Sequence, residues 1–109
     1  MRIYIAGPMT GIEDYNFPAF NGVAAILRKV GYEVENPAEG ERRTEKDWEW
    51  GVNMRKSITQ LMRCDVVVFL PGWKNSKGAK IEHQLAEGLG MFRMEWDLSA
   101  CTALHDALT

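Results

Sequence analysis

The chain has 109 residues, of which 46% are hydrophobic and 26% are charged, and its formal net charge at pH 7 is -2. These values are typical of a single globular domain, 1–109, and the charge gives no electrostatic basis for binding a nucleic acid polymer. The chain starts directly with a strand-like run, and no apolar stretch approaches the ~18 residues of a membrane span, so we expect a cytoplasmic protein with no membrane partner.

The first predicted strand, Arg2 to Ala6, leads directly into a loop with a glycine at each end, Gly7 to Gly11. Glycine allows the backbone to approach a ligand closely. The loop lacks the GxGxxG spacing of dinucleotide-binding folds and the Lys-Ser/Thr ending of a P-loop, so neither an NAD nor an ATP site is predicted. Tyr4 lies within the strand, and its hydroxyl either points into a cleft or belongs to the core.

A helix and a second strand follow this loop. Apolar residues recur at helical spacing from Phe20 to Val30, and Gly31 predicts the end of that helix. The alternation over residues 32–35 predicts a strand, which Asn36-Pro37 closes. Because crossovers between parallel strands are nearly always right-handed, we expect the second strand to lie beside the first.

The middle of the chain contains a polar segment and a second helix. Residues 38–46 are predicted to form an exposed loop, which serves either as a lid or as a solvated connection. From Asp47 to Cys64 the pattern is helical, with an apolar stripe and a polar face that carries Asn53 and Ser57. Since this helix runs antiparallel to the strand that follows it, we expect Ser57 near the ligand-binding edge of the sheet.

The stretch from Asp65 to Gly90 combines a strand with a helix. Val66 to Leu70 is an unbroken apolar run, typical of a strand buried on both faces. In open parallel sheets, ligands lie beyond the carboxyl ends of the strands and beside helix N-termini. Gly78 and Glu82 share a helix face there, and Ser76 can cap the helix. We therefore predict a ligand cradle with Glu82 as the reacting group; the structural alternatives are a helix cap, a tight turn and an acid that suits the helix dipole.

The chain ends with a predicted fourth strand, Met91 to Trp96, and a weak helix, Leu98 to Leu108. A four-stranded sheet leaves an unprotected edge, and the chain has more tryptophan than a small core needs, so we expect a homodimer or higher homo-oligomer. Trp73 either stacks on a base or covers such an interface. Cys64 and Cys101 have neither CxxC spacing nor partner histidines, which predicts reduced thiols and no metal site.

Several motifs along the chain are specific only in combination. They are Ile3-Tyr4-Ile5-Ala6-Gly7-Pro8-Met9-Thr10-Gly11, Phe17-Pro18-Ala19-Phe20-Asn21, Gly31-Tyr32-Glu33-Val34, Asn36-Pro37, Cys64-Asp65, Leu70-Pro71-Gly72-Trp73, and Ser76-Lys77-Gly78-Ala79 with Glu82. Together they resemble the nucleoside 2-deoxyribosyltransferase superfamily, most closely a compact branch of phages and prophages that is similar to 2′-deoxynucleoside 5′-phosphate N-hydrolases. The resemblance extends to about Met94.

The resemblance implies an α/β fold, namely a three-layer Rossmann/flavodoxin-like sandwich with a four- to five-stranded, mainly parallel sheet. It also implies cleavage or transfer at the N-glycosidic bond of a nucleoside or its 5′-monophosphate, without a cofactor. By the same resemblance, Glu82 is the nucleophile and Tyr4 positions it. The resemblance implies that Ser76, Gly78 and the loop with Gly7, Met9, Thr10 and Gly11 bind the small-molecule nucleoside or nucleotide. From their places in the chain, Asn53, Ser57 and Trp73 are added to the predicted binding residues.

One position departs from the pattern of the superfamily. Eight residues before the position of Asp65, its members often have an aspartate that helps to protonate the leaving base, and this chain has Ser57 there. A serine is not a useful general acid near neutral pH. Three alternatives remain: Asn53 and a water molecule take over this task, another group supplies the proton, or the chain binds nucleotides without turning them over.

The chemistry of a glycosidic bond gives Glu82 a specific task. A carboxylate under the anomeric carbon stabilises an oxocarbenium-like transition state or bonds to it. Glu82 must be ionised to do so, and its place in the first turns of a helix favours the anion. The sequence leaves three hypotheses: an enzyme that acts on this bond, a module that senses or sequesters a nucleotide, and an interaction protein that uses exposed tryptophans.

Overall fold

The computed structural model of the chain describes residues 1–39 and 50–97. In chain order, its main elements are β1 (Arg2–Ala6), α1 (Phe17–Val30), β2 (Glu33–Glu35), α2 (Trp50–Leu61), β3 (Val66–Phe69), α3 (Lys77–Gly88) and β4 (Phe92–Glu95). The predicted order of strands and helices is confirmed, with bounds that differ by a few residues. Residues 40–46 of the loop predicted over 38–46, the predicted helix start at 47 and the predicted helix over 98–108 lie outside the described residues. Within residues 1–39 and 50–97, no α-helix is long and apolar enough to cross a lipid bilayer.

The four strands form one sheet in the order β2-β1-β3-β4, and all neighbouring strands are parallel. Ile3 of β1 lies opposite Val34 of β2 on one side and Val66 of β3 on the other. The connection through α1 places β2 beside β1, as expected for a strand-helix-strand unit. The predicted Rossmann/flavodoxin-like α/β fold is therefore confirmed, with four strands in the described part of the chain.

Alternation along β1 divides the core into two halves. Ile3 and Ile5 point to one face of the sheet and pack with buried side chains of α1. Tyr4 and Ala6 point to the opposite face and pack with side chains of α2 and α3. Successive side chains of a strand face opposite ways, so this one strand serves both halves of a three-layer sandwich.

Two residues at the ends of elements have structural roles, and the predicted role of Gly31 as a helix end is confirmed. Gly31 ends α1 with a φ of 113°, and its N–H donates to the Arg28 carbonyl at 3.0 Å. Asp65 closes the turn before β3: its carboxylate accepts from the backbone N–H of Arg2 at 3.1 Å, and its own N–H donates to the Arg2 carbonyl at 2.9 Å. Beside it, burial raises the pKa of the Cys64 thiol to about 12, so this thiol stays protonated.

Gly7 follows β1 directly and has no room for a side chain. A Cβ at this position would lie 2.8 Å from the Cβ of Leu70, which is buried. Both atoms are attached to backbone, so we expect the Gly7→Ala substitution to lower the free energy of unfolding by about 2 kcal/mol. Urea unfolding followed by circular dichroism measures the change. Gly22→Ala in α1 is the control, because a Cβ there meets nothing within 4 Å; equal losses in both variants would contradict the explanation.

Candidate active site

A cavity opens at the carboxyl end of β1, between that strand and helices α2 and α3. Its volume is about 70 Å³, which is room for several water molecules. Pockets that enclose drug-sized ligands have volumes of about 300 Å³ or more, so the cavity formed by the described residues is smaller than such a pocket. Nine of the predicted site residues line it, namely Tyr4, Gly7, Met9, Thr10, Asn53, Ser57, Ser76, Gly78 and Glu82.

Glu82 brings a buried carboxyl to this cavity from α3. The residue is 5% exposed, and its Oε2 has no hydrogen-bond partner among the described residues. Burial raises the pKa of Glu82 from 4.5 to about 7, because the charged form loses its hydration, and a hydrogen bond from Tyr4 opposes this rise. The expected stabilisation of the anion by the helix N-terminus is outweighed, since Glu82 is the sixth residue of α3 and the dipole acts mainly within the first turn.

Tyr4 reaches the cavity from the middle of β1. It is 1% exposed and packs in the half of the core that faces α2 and α3, so it is a core tyrosine whose hydroxyl also faces the site. Burial first, and then the charge of Glu82, raise the pKa of Tyr4 well above its usual value. Tyr4 therefore stays protonated and can donate its hydrogen to the carboxylate of Glu82.

Asn53 and Ser57 face the cavity from α2, one helical turn apart. The sequence pattern places Asn53 on a polar face, but the residue is 6% exposed, and its Nδ2 has no hydrogen-bond partner among the described residues. A hydrogen bond between Ser57 and Tyr4 lowers the pKa of the tyrosine and so opposes part of the rise caused by burial. Helix α2 thus presents two polar side chains on the same side as the carboxyl of Glu82.

The N-terminus of α3 forms another wall of the cavity. The Ser76 hydroxyl accepts a hydrogen bond from the backbone N–H of Ala79 at 3.2 Å, so Ser76 caps the helix, as one of the predicted alternatives has it. Gly78 allows α3 to approach α2, because a Cβ there would lie 3.1 Å from the sulfur of Met54. Both residues have a structural role and also line the cavity.

The loop after β1 contributes Gly7, Met9 and Thr10 to the cavity. The side-chain amide of Asn16 donates to the carbonyl of Pro8 at 3.0 Å and so ties this loop to the start of α1. This contact holds Pro8 in place, and Pro8 lies between the cavity-lining residues Gly7 and Met9.

Two predicted binding residues, Gly11 and Trp73, do not line the cavity. Gly11 occupies a turn with a φ of 81°. The Trp73 ring stacks on His83 with 4.6 Å between ring centroids, and its Nε1–H donates to Glu95 at 3.1 Å. Trp73 instead lines a separate open groove beyond the ends of β3 and β4.

The cavity has little charge besides that of Glu82. Among its lining residues that the structure describes, Tyr4 and Glu82 are the titratable side chains, and none is Lys, Arg or His. The Lys77 ammonium lies 4.2 Å from the centroid of the lining Trp50 ring, in a cation–π contact. Within residues 1–39 and 50–97, no three His, Cys, Asp or Glu side chains are grouped as metal ligands would be.

Sequence reasoning missed several apolar residues of the cavity wall. Trp50 and Met54 have a helical spacing that places them on the same face as Asn53 and Ser57, so this spacing could have identified them. Pro37 follows β2 at the carboxyl edge of the sheet, which is also a readable signal. The remaining cavity-lining residues could not be identified from the sequence, because their apolar patterns indicate core positions. They are Ile5, Ala6, Phe20 and Ala79.

Residues 1–94 match the protein family described as "Domain of unknown function (DUF4406)". The chain belongs to the DUF4406 family. The matched range includes the nine predicted residues of the cavity, so the candidate site lies entirely within the DUF4406 domain. No curated protein matches the sequence.

The DUF4406 chain has the fold of a solved enzyme structure, a 2-desoxiribosyltransferase from Leishmania mexicana, with a TM-score of 0.65 and 20% sequence identity. The similarity covers 87% of the DUF4406 chain and 63% of the enzyme chain. The DUF4406 chain therefore spans less than two thirds of the length of that enzyme. At this identity, the similarity establishes a shared fold.

Proposed function

We propose that this chain cleaves or transfers the N-glycosidic bond of a nucleoside, a deoxynucleoside or its 5′-monophosphate, with Glu82 as the nucleophile. One observation supports this most directly: Glu82 lines the cavity beside Tyr4 with a buried carboxyl, one oxygen of which has no hydrogen-bond partner among the described residues. A shared fold with an enzyme named as a 2-desoxiribosyltransferase adds support. In this proposal, Tyr4 orients the carboxyl and Ser57 orients Tyr4.

The proposed reaction has two steps. First, an oxygen of Glu82 bonds to the anomeric carbon while the carbon–nitrogen bond breaks, and the base leaves with the electron pair and takes up a proton. Second, water attacks the glycosyl ester, transfers its hydroxyl to the sugar, releases a proton and restores the carboxylate. A second base in place of water gives transfer. Positive charge on the sugar in the transition state favours the anion of Glu82, because opposite charges attract strongly where water is excluded.

A second candidate function is binding of a nucleotide without turnover. Ser57 is not an acid, and the other titratable side chain at the described cavity wall, Tyr4, has a raised pKa. No described lining residue other than Glu82 is therefore an acid of a strength suited to protonating a leaving base near neutral pH. In that case Glu82 recognises the sugar without reacting with it.

We further propose that residues 1–109 form one domain of the nucleoside 2-deoxyribosyltransferase superfamily, in its compact phage-type branch near the deoxynucleotide N-hydrolases. The motifs that carry the resemblance and the shared fold support this placement.

We also propose a cytoplasmic homodimer or higher oligomer. In support of self-association, β4 is an edge strand, and Phe92 on it is 39% exposed.

The test is the release of free base from a panel of nucleosides and 5′-monophosphates, both ribo and deoxy, followed by chromatography. We expect release by the native chain and a loss of at least about a thousandfold in Glu82→Gln, because an amide cannot form the glycosyl ester. Glu87→Gln on the same helix is the matched control, since that side chain is 65% exposed and should leave the rate unchanged. Tight binding without release would favour the second function, and release that survives Glu82→Gln would contradict the first.

A further inference from the structure

A second residue of the cavity wall, besides Glu82 with its Oε2, has a buried polar atom without a hydrogen-bond partner among the described residues. This atom is Nδ2 of Asn53, and the two residues are 6% (Asn53) and 5% (Glu82) exposed. Neither atom has a hydrogen-bond partner among the described residues. Because an unpaired buried polar atom is destabilising, we expect the ligand of this cavity to carry a group that pairs with both.

The chemistry of the two atoms restricts this group. The amide nitrogen of Asn53 can only donate a hydrogen bond, and the ionised carboxylate of Glu82 can only accept one. A hydroxyl does both at once: its oxygen accepts from Asn53 while its hydrogen is donated to Glu82. A sugar hydroxyl therefore matches this pair, whereas a bare C–H position would leave both atoms unsatisfied.

The stereochemistry of the proposed reaction indicates which hydroxyl this is. In a β-nucleoside the base projects from one face of the ring, and a nucleophile that displaces it approaches from the opposite face. The 2′-hydroxyl of a ribose projects from that same opposite face, on the carbon next to the reacting one. When one oxygen of Glu82 is close to the anomeric carbon, the other oxygen is close to this hydroxyl.

We propose that the site accepts a ribose sugar, held by its 2′-hydroxyl between Nδ2 of Asn53 and Oε2 of Glu82. The inference rests on the proposed function, because it takes the sugar to be presented to Glu82. It makes Asn53 a specificity-determining residue rather than a proton donor. It also means that the site does not require a 2-deoxy sugar.

Calorimetric titration tests the inference by binding alone. The four common ribonucleoside 5′-monophosphates and their 2′-deoxy counterparts are titrated into the native chain, Asn53→Leu and a matched control, Gln60→Leu. The control removes an amide from the same helix. This amide lies outside the cavity, and its Nε2 donates a hydrogen bond to the Glu35 carboxylate at 3.3 Å. We expect the native chain to bind a ribonucleotide about tenfold more tightly than its deoxy form, Asn53→Leu to lose this difference, and Gln60→Leu to retain it.

Thermal unfolding shows whether Asn53→Leu folds; we expect no loss of stability, because leucine removes an unpaired buried donor at similar size. Equal affinity of the native chain for both sugars, or an equal loss for both in Asn53→Leu, would overturn the inference. If the chain prefers ribose but releases no base, the proposed catalysis is contradicted and this inference is not. Base release without any distinction between the sugars would contradict this inference alone, and failure to bind either sugar would contradict both.

Discussion

Replacement of Glu82 by glutamine is expected to raise the free energy of unfolding at pH 8 by about 3 kcal/mol. The pKa of this buried carboxyl is about 7, against its ordinary value of 4.5, and each pH unit of difference corresponds to about 1.4 kcal/mol. The folded state binds the proton more tightly than the unfolded state does, so the native chain loses stability as the pH rises from about 4.5 through 7. Glutamine has no charge to bury and avoids this loss.

Urea unfolding at pH 5 and pH 8 measures the effect. We expect the glutamine variant to exceed the native chain by about 3 kcal/mol at pH 8 and by less than about 1 kcal/mol at pH 5. Glu87→Gln, which changes an exposed side chain of the same helix, should show no comparable gain at either pH. A Glu82→Gln variant that is less stable than the native chain at pH 8 would mean that the folded state pairs this carboxylate favourably, which contradicts a pKa raised by burial.

Removal of the Tyr4 hydroxyl is expected to shift the pH dependence of base release to higher pH. In the native chain, release should rise as Glu82 ionises near pH 7. The hydrogen bond from Tyr4 lowers the pKa of that carboxyl, so Tyr4→Phe raises it further. A hydrogen bond to a charged group contributes about 1.5–3 kcal/mol, which predicts a tenfold to hundredfold loss of rate at pH 7.

Initial rates of base release between pH 5 and pH 9 measure this shift. We expect the loss in Tyr4→Phe to become smaller toward pH 9, where the carboxyl ionises without help. Tyr32→Phe is the control, because Tyr32 packs against the half of the core that faces α1. If the rate in Tyr4→Phe fell equally at every pH, Tyr4 would act by some means other than the ionisation of Glu82.

Periodicity was sufficient to predict the order of strands and helices in this fold, whereas its three layers were implied by the resemblance. The unbroken apolar run of β3 can only be accommodated with both faces covered, and the helical stripe of α1 ends at a glycine that has a positive φ in the structure. The position of Glu82 followed from the same reasoning, because a helix that starts after a parallel strand brings its first turns to the carboxyl edge.

The environment of the site residues could not be predicted in this way. Whether Asn53 is exposed or buried depends on how closely α2 approaches α3, and that distance is set by the contact between Gly78 and Met54, two residues far apart in sequence. The pKa of Glu82 likewise depends on burial by all the surrounding elements rather than on its place in α3. Trp73 was predicted either to stack on a base or to cover an oligomer interface. It lines a groove separate from the cavity, and nothing in the sequence indicated its contacts with His83 and Glu95.

The two-sided use of β1 restricts how this protein can change during evolution. An insertion or deletion of one residue within the strand would exchange the side chains of its two faces, so Tyr4 would enter the α1 side and an isoleucine would face Glu82. Such a change would damage the stability and the chemistry of the domain together. Diversification of substrate preference is therefore expected to accumulate in the loop after β1 and along α2, where substitutions alter the cavity wall without disturbing the register of the sheet.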